Sequence, residues 1–133
     1  MKFESLLKNL KELNLPKRHY AIAGSGPMAV RKIRDSNDLD VVVTKETFND
    51  LKERFPNNFV NEPFDRLVIG DIEISHIWQQ GEEKSIKSIN KSEIINGVPF
   101  VKLNEVLIGK KKGTRDKDKK DVELIENYLR NKK

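Results

Sequence analysis

The sequence predicts an α/β (α+β) domain, a mixed β-sheet flanked by helices, on three observations. Apolar residues recur at helical spacing at both ends of the chain. Short β-branched runs occupy the middle, and glycine, proline and Asn-Gly breakers separate the segments. The 133 residues fit one domain, 1–133, long enough to bury a core without disulfides.

Residues 3–13 place Phe3, Leu6, Leu7, Leu10 and Leu13 on one helical face, and Pro16 is expected to end that helix. His19 to Ala23 reads as a strand, followed by a turn at Gly24-Ser25-Gly26. Pro27 suits the first turn of a short helix over "PMAVRKI", whose N-terminus points back at that turn. Asp38 to Val43, "DLDVVV", is a β-branched strand, and Thr44 caps a helix carrying Phe48, Leu51 and Phe55. "PNN" at 56–58 breaks it.

Arg66 to Ile77 reads as one strand, or two joined near Gly70, and Gly81 to Lys84 as a loop. Asn96-Gly97 between apolar runs predicts a hairpin, with Pro99 holding its second arm at a sheet edge. The closing segment, about 103–130, is basic and helical. Asn104 caps and Gly113 ends its first helix, and Val122, Ile125 and Leu129 share a face of the second.

Composition removes several classes. With no cysteine, thiolate metal sites and cysteine nucleophiles are excluded. The charged N-terminal stretch lacks the features of a signal peptide, and no apolar run approaches a membrane span, so a soluble, cytoplasmic protein without a membrane partner is expected. The net charge of +5 permits a polyanionic partner. Its densest run, Lys110 to Lys120, reads by itself as a solvated face.

The chemistry concentrates in "GSGPMAVRKIRDSNDLDVVV", Gly24 to Val43. Alternate strand residues share a face, so Asp38 and Asp40 point the same way. Two adjacent carboxylates repel, and a divalent cation relieves the repulsion. Magnesium takes oxygen ligands from one or two carboxylates and from substrate phosphates. Gly24, Ser25 and Gly26 supply the other half of such a site, with close backbone approach, free N–H groups and a hydroxyl. A third carboxylate comes from Asp71 or Glu73 in "GDIEIS". Glu73, deeper in the strand, is preferred, because Asp71 beside Gly70 reads equally as a turn residue.

With these pieces in this order, the sequence resembles the nucleotidyltransferase superfamily, the polymerase-β-like fold, over roughly residues 19–129. The run Arg34-x-Ser36-x-Asp38-Leu39-Asp40 is especially similar to small nucleotidyltransferases, including toxin components of toxin–antitoxin pairs. The tail resembles the closing segment of such proteins at Lys111, Gly113, Arg115, Lys117, Asp118 and Asp121. The resemblance implies magnesium-dependent transfer (manganese being a substitute) of a nucleoside monophosphate from a nucleoside triphosphate to a hydroxyl. The acceptor would be an RNA end such as that of tRNA, a protein or a small molecule, and an antitoxin-type protein is an implied partner. Asp38, Asp40 and Glu73 would be catalytic and hold the metal, while Gly24, Ser25, Gly26, Arg34 and Lys111 would hold nucleotide phosphates. The alternative is a catalytically weak nucleotide- or RNA-binding or protein-interaction module.

The residues beside these are read structurally. Arg34 pairs with Asp35 or Asp38, Arg31 and Lys32 are solvated, and His76 is a packing histidine. Trp78 is rim or core packing, and Arg115 pairs with Asp118 or Asp121.

Overall fold

The computed structural model describes residues 2–77 and 81–131. A seven-stranded mixed sheet forms in the order β3-β4-β5-β2-β1-β7-β6. Its strands are β1 Tyr20–Ala23, β2 Leu39–Val43, β3 Phe59–Val60, β4 Arg66–Ile69, β5 Ile72–Ser75, β6 Glu93–Ile95 and β7 Val98–Phe100. Among the described residues six α-helices flank it: α1 Lys2–Lys11, α2 Gly26–Ala29, α3 Lys45–Arg54, α4 Glu82–Asn90, α5 Leu103–Lys111 and α6 Asp116–Asn131. The α+β class read from the sequence is the class observed.

Strand alternation divides the core between the two faces of the sheet. Leu39, Val41 and Val43 of β2 join Ile72 and Ile74 of β5 against Phe3, Leu6 and Leu10 of α1 and Phe48 and Leu51 of α3. Val42 faces the other way, with Ala21 and Ala23 of β1, toward Ile89 of α4, Val106 of α5 and Ile125 of α6. The first face is filled by large side chains. The second has alanines where the sheet passes under the Gly24 turn.

Local chemistry explains most boundaries. Thr44 caps α3 by accepting from the Thr47 N–H at 3.4 Å. Gly70, at φ 60°, makes Arg66–Ser75 a hairpin of two strands. Asn96 and Gly97 both have positive φ, 53° and 79°, as a two-residue hairpin turn requires.

Six expectations are corrected. Residues 82–84 are not loop but the first turn of α4, with Gly81 at its cap. That helix escapes a reading by apolar period because its buried side chains are Ser85, Ser88 and Ile89. Pro99 is not on an edge strand, since β6 is the edge and β7 lies between β6 and β1. The two-residue turn makes Ile95 and Val98 the bonded pair, so the Pro99 nitrogen faces β1, where pairing starts only at Phe100. Asn104 does not cap α5, because Lys102 is the flanking residue and the helix begins at Leu103. On α6 the buried residues are Asp118, Asp121 and Ile125, while Leu129 is exposed. The N-terminal helix stops at Lys11, and Asn14, at φ 53°, turns the chain before Pro16 is reached. The short helix is only Gly26–Ala29, and Lys32, at φ 60°, ends the turns that follow.

Candidate functional site

The antiparallel pairing of β1 with β2 sets Ala23 opposite Asp40, and the parallel pairing of β2 with β5 sets Asp40 beside Glu73. The chain leaves β1 one residue after Ala23, so the Gly24 turn lies directly over Asp40. Gly24 adopts φ 60°, and a Cβ there would collide with the Asp40 carboxylate. Asp38 sits one residue before β2, so Asp38, Asp40 and Glu73 share the sheet face of Val42.

Gly24, Ser25, Asp38 and Asp40, but not Glu73, line a cleft of about 380 Å³. Gly24 and Ser25 form one end, Asp38 and Asp40 the acidic wall, and Arg34, Lys110, Arg115 and Lys117 the opposite, basic wall. Burial, with the neighbouring charges of Asp38 and Glu73, pushes the Asp40 carboxyl up to about 6, against the opposing pull of Lys110 and Lys117. The crowding of negative charge expected from the sequence is therefore present at Asp40.

The basic wall is organised by Asp121, whose side chain is 2 % exposed. Arg34 donates to it through Nε at 2.7 Å and Nη2 at 2.9 Å, and Lys110 Nζ lies 2.8 Å from Oδ2. Burial would raise this carboxyl, but the hydrogen bonds and charges of Arg34 and Lys110 outweigh it and hold it below the usual range. Beside it, Arg115 makes two 3.0 Å bonds to Asp118, whose carboxylate leaves no room for a Cβ on Gly113.

A pair of hydroxyls ties the turn to the acidic wall. Ser36, 2 % exposed, donates from Oγ to the Asp38 carbonyl at 2.7 Å. With that proton committed, the 2.6 Å contact between Ser25 and Ser36 has Ser25 as donor. Ser25 thus turns its lone pairs, not its hydrogen, toward the cleft.

The structure brings together Gly24, Ser25, Arg34, Asp38 and Asp40. Gly26 packs beneath them against Ile22, with no space for a side chain. Glu73 is in register, but its Oε1 lies 3.2 Å from Arg66 Nε. Among the described residues, no group of three or more His, Cys, Asp or Glu side chains is arranged to hold a metal ion. Asp71 is the turn residue of its hairpin and pairs with Lys2 at 2.6 Å, away from the cleft.

Lys111 is not in the cleft. It pairs with Glu126 at 3.3 Å, and its neighbour Lys110 faces the site instead. The signal was available: Leu103, Val106 and Lys110 fall at i, i+3 and i+7, so Lys110 continues the buried stripe of α5. Ser36 carried no comparable signal as a linking residue.

Arg34 does bond the Asp35 carbonyl, at 2.9 Å, but its ionic partner is Asp121. Arg31 is not solvated: its side chain is 10 % exposed, paired with Glu93 and bonded to the Pro27 carbonyl at 2.7 Å. Lys32 is exposed, and Arg115 pairs with Asp118. His76 is buried against Phe48, ring centroids 4.9 Å apart, as a packing histidine. Trp78 lies outside the described residues. Among the described residues, no helix is long and apolar enough to cross a membrane. Compared with protein-family models, curated proteins and solved structures, the chain matches none.

Proposed function

We propose that the chain is a nucleotidyltransferase that moves a nucleoside monophosphate from a nucleoside triphosphate to a hydroxyl acceptor. One observation carries the reading: a single cleft opposes an acidic wall, Asp38 and Asp40, to a basic wall, Arg34, Lys110 and Lys117, beneath a glycine turn. A metal-chelated triphosphate has that distribution of charge. The donor set fits magnesium, being all oxygen, with Asp40 raised by burial and, beside it, by the charges of Asp38 and Glu73, which a dication would offset. Asp38 and Asp40 would hold the ion, which when bound neutralises phosphate charge.

The chain's own groups perform the rest. Lys110, Lys117 and Arg34 draw the β- and γ-phosphates to the basic wall. The Gly24 turn lets the backbone approach them without a side chain between. Glu73 takes the proton of the acceptor hydroxyl. The acceptor oxygen then bonds to the α-phosphorus as the bridging oxygen leaves with pyrophosphate. Catalysis of this kind is positioning and charge compensation.

The pairing of Glu73 with Arg66 favours the second reading, a nucleotide-binding module with little turnover. Calorimetry with a nucleoside triphosphate, with and without magnesium, on wild type and on Asp38→Ala/Asp40→Ala separates the outcomes. Magnesium-dependent binding lost in the variant supports the cleft as the nucleotide site. Binding without transfer to any hydroxyl acceptor leaves the module. No binding by wild type removes both.

A further inference from the structure

The sheet has two edges, and they are finished differently. β3 is two residues long, and its Phe59 lies beneath Lys52, whose Nζ is 4.0 Å from the ring centroid. A short strand covered by a charged side chain is a blunted edge. β6 forms the other edge. Its Ile94 is 66 % exposed, more than any other large apolar side chain among the described residues.

The hairpin register fixes where the Ile94 backbone points. Ile95 and Val98 close the two-residue turn as a bonded pair, so Ile94 and Pro99 are the non-bonded pair that follows. The Ile94 N–H and C=O therefore face away from β7, toward the open side of the edge. Its side chain stands on the same face of the sheet as that of Pro99.

On that face Ile94 and Pro99 join Ile89 of α4 in lining a groove of about 600 Å³. Lys17 and Arg18, both exposed and in the segment before β1, line it too, with Asn90 and Ser92. The lining holds two cations and no carboxylate. Neither of these two cationic side chains has an ion pair or a hydrogen bond among the described residues. Glu93, next to Ile94 in the chain, is engaged by Arg31.

We propose that this groove and the β6 edge dock an extended acidic segment of a partner protein, which adds one more strand to the sheet. The Ile94 N–H and C=O bond the incoming backbone. Alternate side chains of an added strand fall on one face, where an aliphatic one covers Ile94 and a carboxylate meets Lys17 and Arg18. Charge selects this occupant. A purely apolar strand would leave both cations unanswered, and a basic one would be repelled. A nucleic acid would answer the cations but leave the apolar floor and the peptide groups of the edge without a match. The carboxylate cleft shares no lining residue with the groove. It lies where β1 ends, at Gly24, and the groove where β1 begins, so the inference does not rest on the transferase reading.

The probe is a capped hexapeptide of alternating valine and aspartate, titrated into isotope-labelled protein and followed by NMR. The amide signals of Arg18, Ile94 and Gly97 should shift together, and exchange of the Ile94 N–H with solvent should slow. Lys17→Gln/Arg18→Asn should weaken binding about fivefold or more, two exposed ion pairs being lost. Asparagine suits position 18, where φ is 70°. Ile94→Thr, which keeps a β-branched side chain at an exposed strand position, should also weaken it. Lys8→Gln/Lys11→Gln, at exposed positions of α1 across the sheet, makes the same change in net charge and should bind like wild type. Circular dichroism verifies folding.

Absence of shifts at β6 in wild type at millimolar peptide overturns the inference. So does equal binding of the same peptide with lysine in place of aspartate. Equal losses in the two charge variants reduce the effect to net charge and overturn it as well. Displacement of the peptide by an oligouridylate assigns the groove to nucleic acid instead. Concentration-dependent broadening of the β6 signals without peptide assigns the edge to a second copy of the chain, and the partner is then withdrawn.

Discussion

The two walls of the cleft each contain a withdrawn carboxylate, and the two behave in opposite ways. Asp40 stands between Asp38 and Glu73, and its proton affinity rises. Asp121 is the more buried, yet it is held ionised by Arg34 and Lys110. Burial raises both carboxyls and is the largest cause at Asp40, so the difference in sign comes from the cations that outweigh it at Asp121. One wall stores uncompensated negative charge, the state that a cation would relieve. The other is already compensated and holds two cations in fixed positions. The comparison separates a buried, charge-crowded carboxylate from one fixed between two cations.

Removing the compensation should have the largest effect. Asp121→Ala leaves Arg34 and Lys110 facing each other, partly desolvated, without a counter-charge. Breaking such a pair costs about 3–5 kcal/mol. Chemical denaturation should show a loss near the lower end of that range, since Arg34 is 24 % exposed. A loss under about 1 kcal/mol would mean that the basic wall does not depend on Asp121 and that the contrast between the walls is only apparent.

The opposite wall should respond with the opposite sign. The Asp40 carboxyl, raised from its ordinary 3.8 to about 6, binds protons more readily folded than unfolded. Its favourable contribution is complete below about 3.8 and is lost as pH rises through about 6. Asp40→Asn should therefore stabilise the protein near neutral pH, by up to about 3 kcal/mol, with the difference shrinking toward pH 4. Asp121, whose carboxyl is lowered, contributes above its unfolded value and loses that contribution only in stronger acid. Thermal melts of the single variants across pH test this. An Asp40→Asn variant destabilised at neutral pH would show that its carboxylate is compensated too.

How much of this was legible follows the same division. The acidic wall was written locally: Asp38 and Asp40 are two residues apart, the turn precedes them, and strand alternation does the rest. The basic wall was not. Arg34 and Asp121 are 87 positions apart, so their pairing depends on α6 crossing the sheet. The hydropathy of α6 points to Leu129, whereas the buried face begins with two aspartates. Helix α4 was hidden for a related reason, because serines fill positions where aliphatics would have marked a period. Sequence patterns disclose burial when it is apolar, and in this protein the half of the core nearest the cleft is partly polar.

The smallest effect divides the two carboxylates of β5 and its turn. Asp71 pairs with Lys2 at 2.6 Å, but both side chains are about half exposed, 53 % and 49 %. Such pairs contribute about 0–1 kcal/mol, so Asp71→Asn should leave stability and any transfer activity almost unchanged. Glu73→Gln, also modest in stability at 43 % exposure, should lower transfer on the proposed reading, because it removes the proposed proton acceptor beside Asp40. It should also lower the Asp40 carboxyl by removing a neighbouring charge, which NMR titration of that residue would read directly. If Asp71→Asn depressed transfer and Glu73→Gln did not, the third carboxylate would lie at the hairpin turn. The acidic wall would then run along the end of the sheet rather than across β2 and β5.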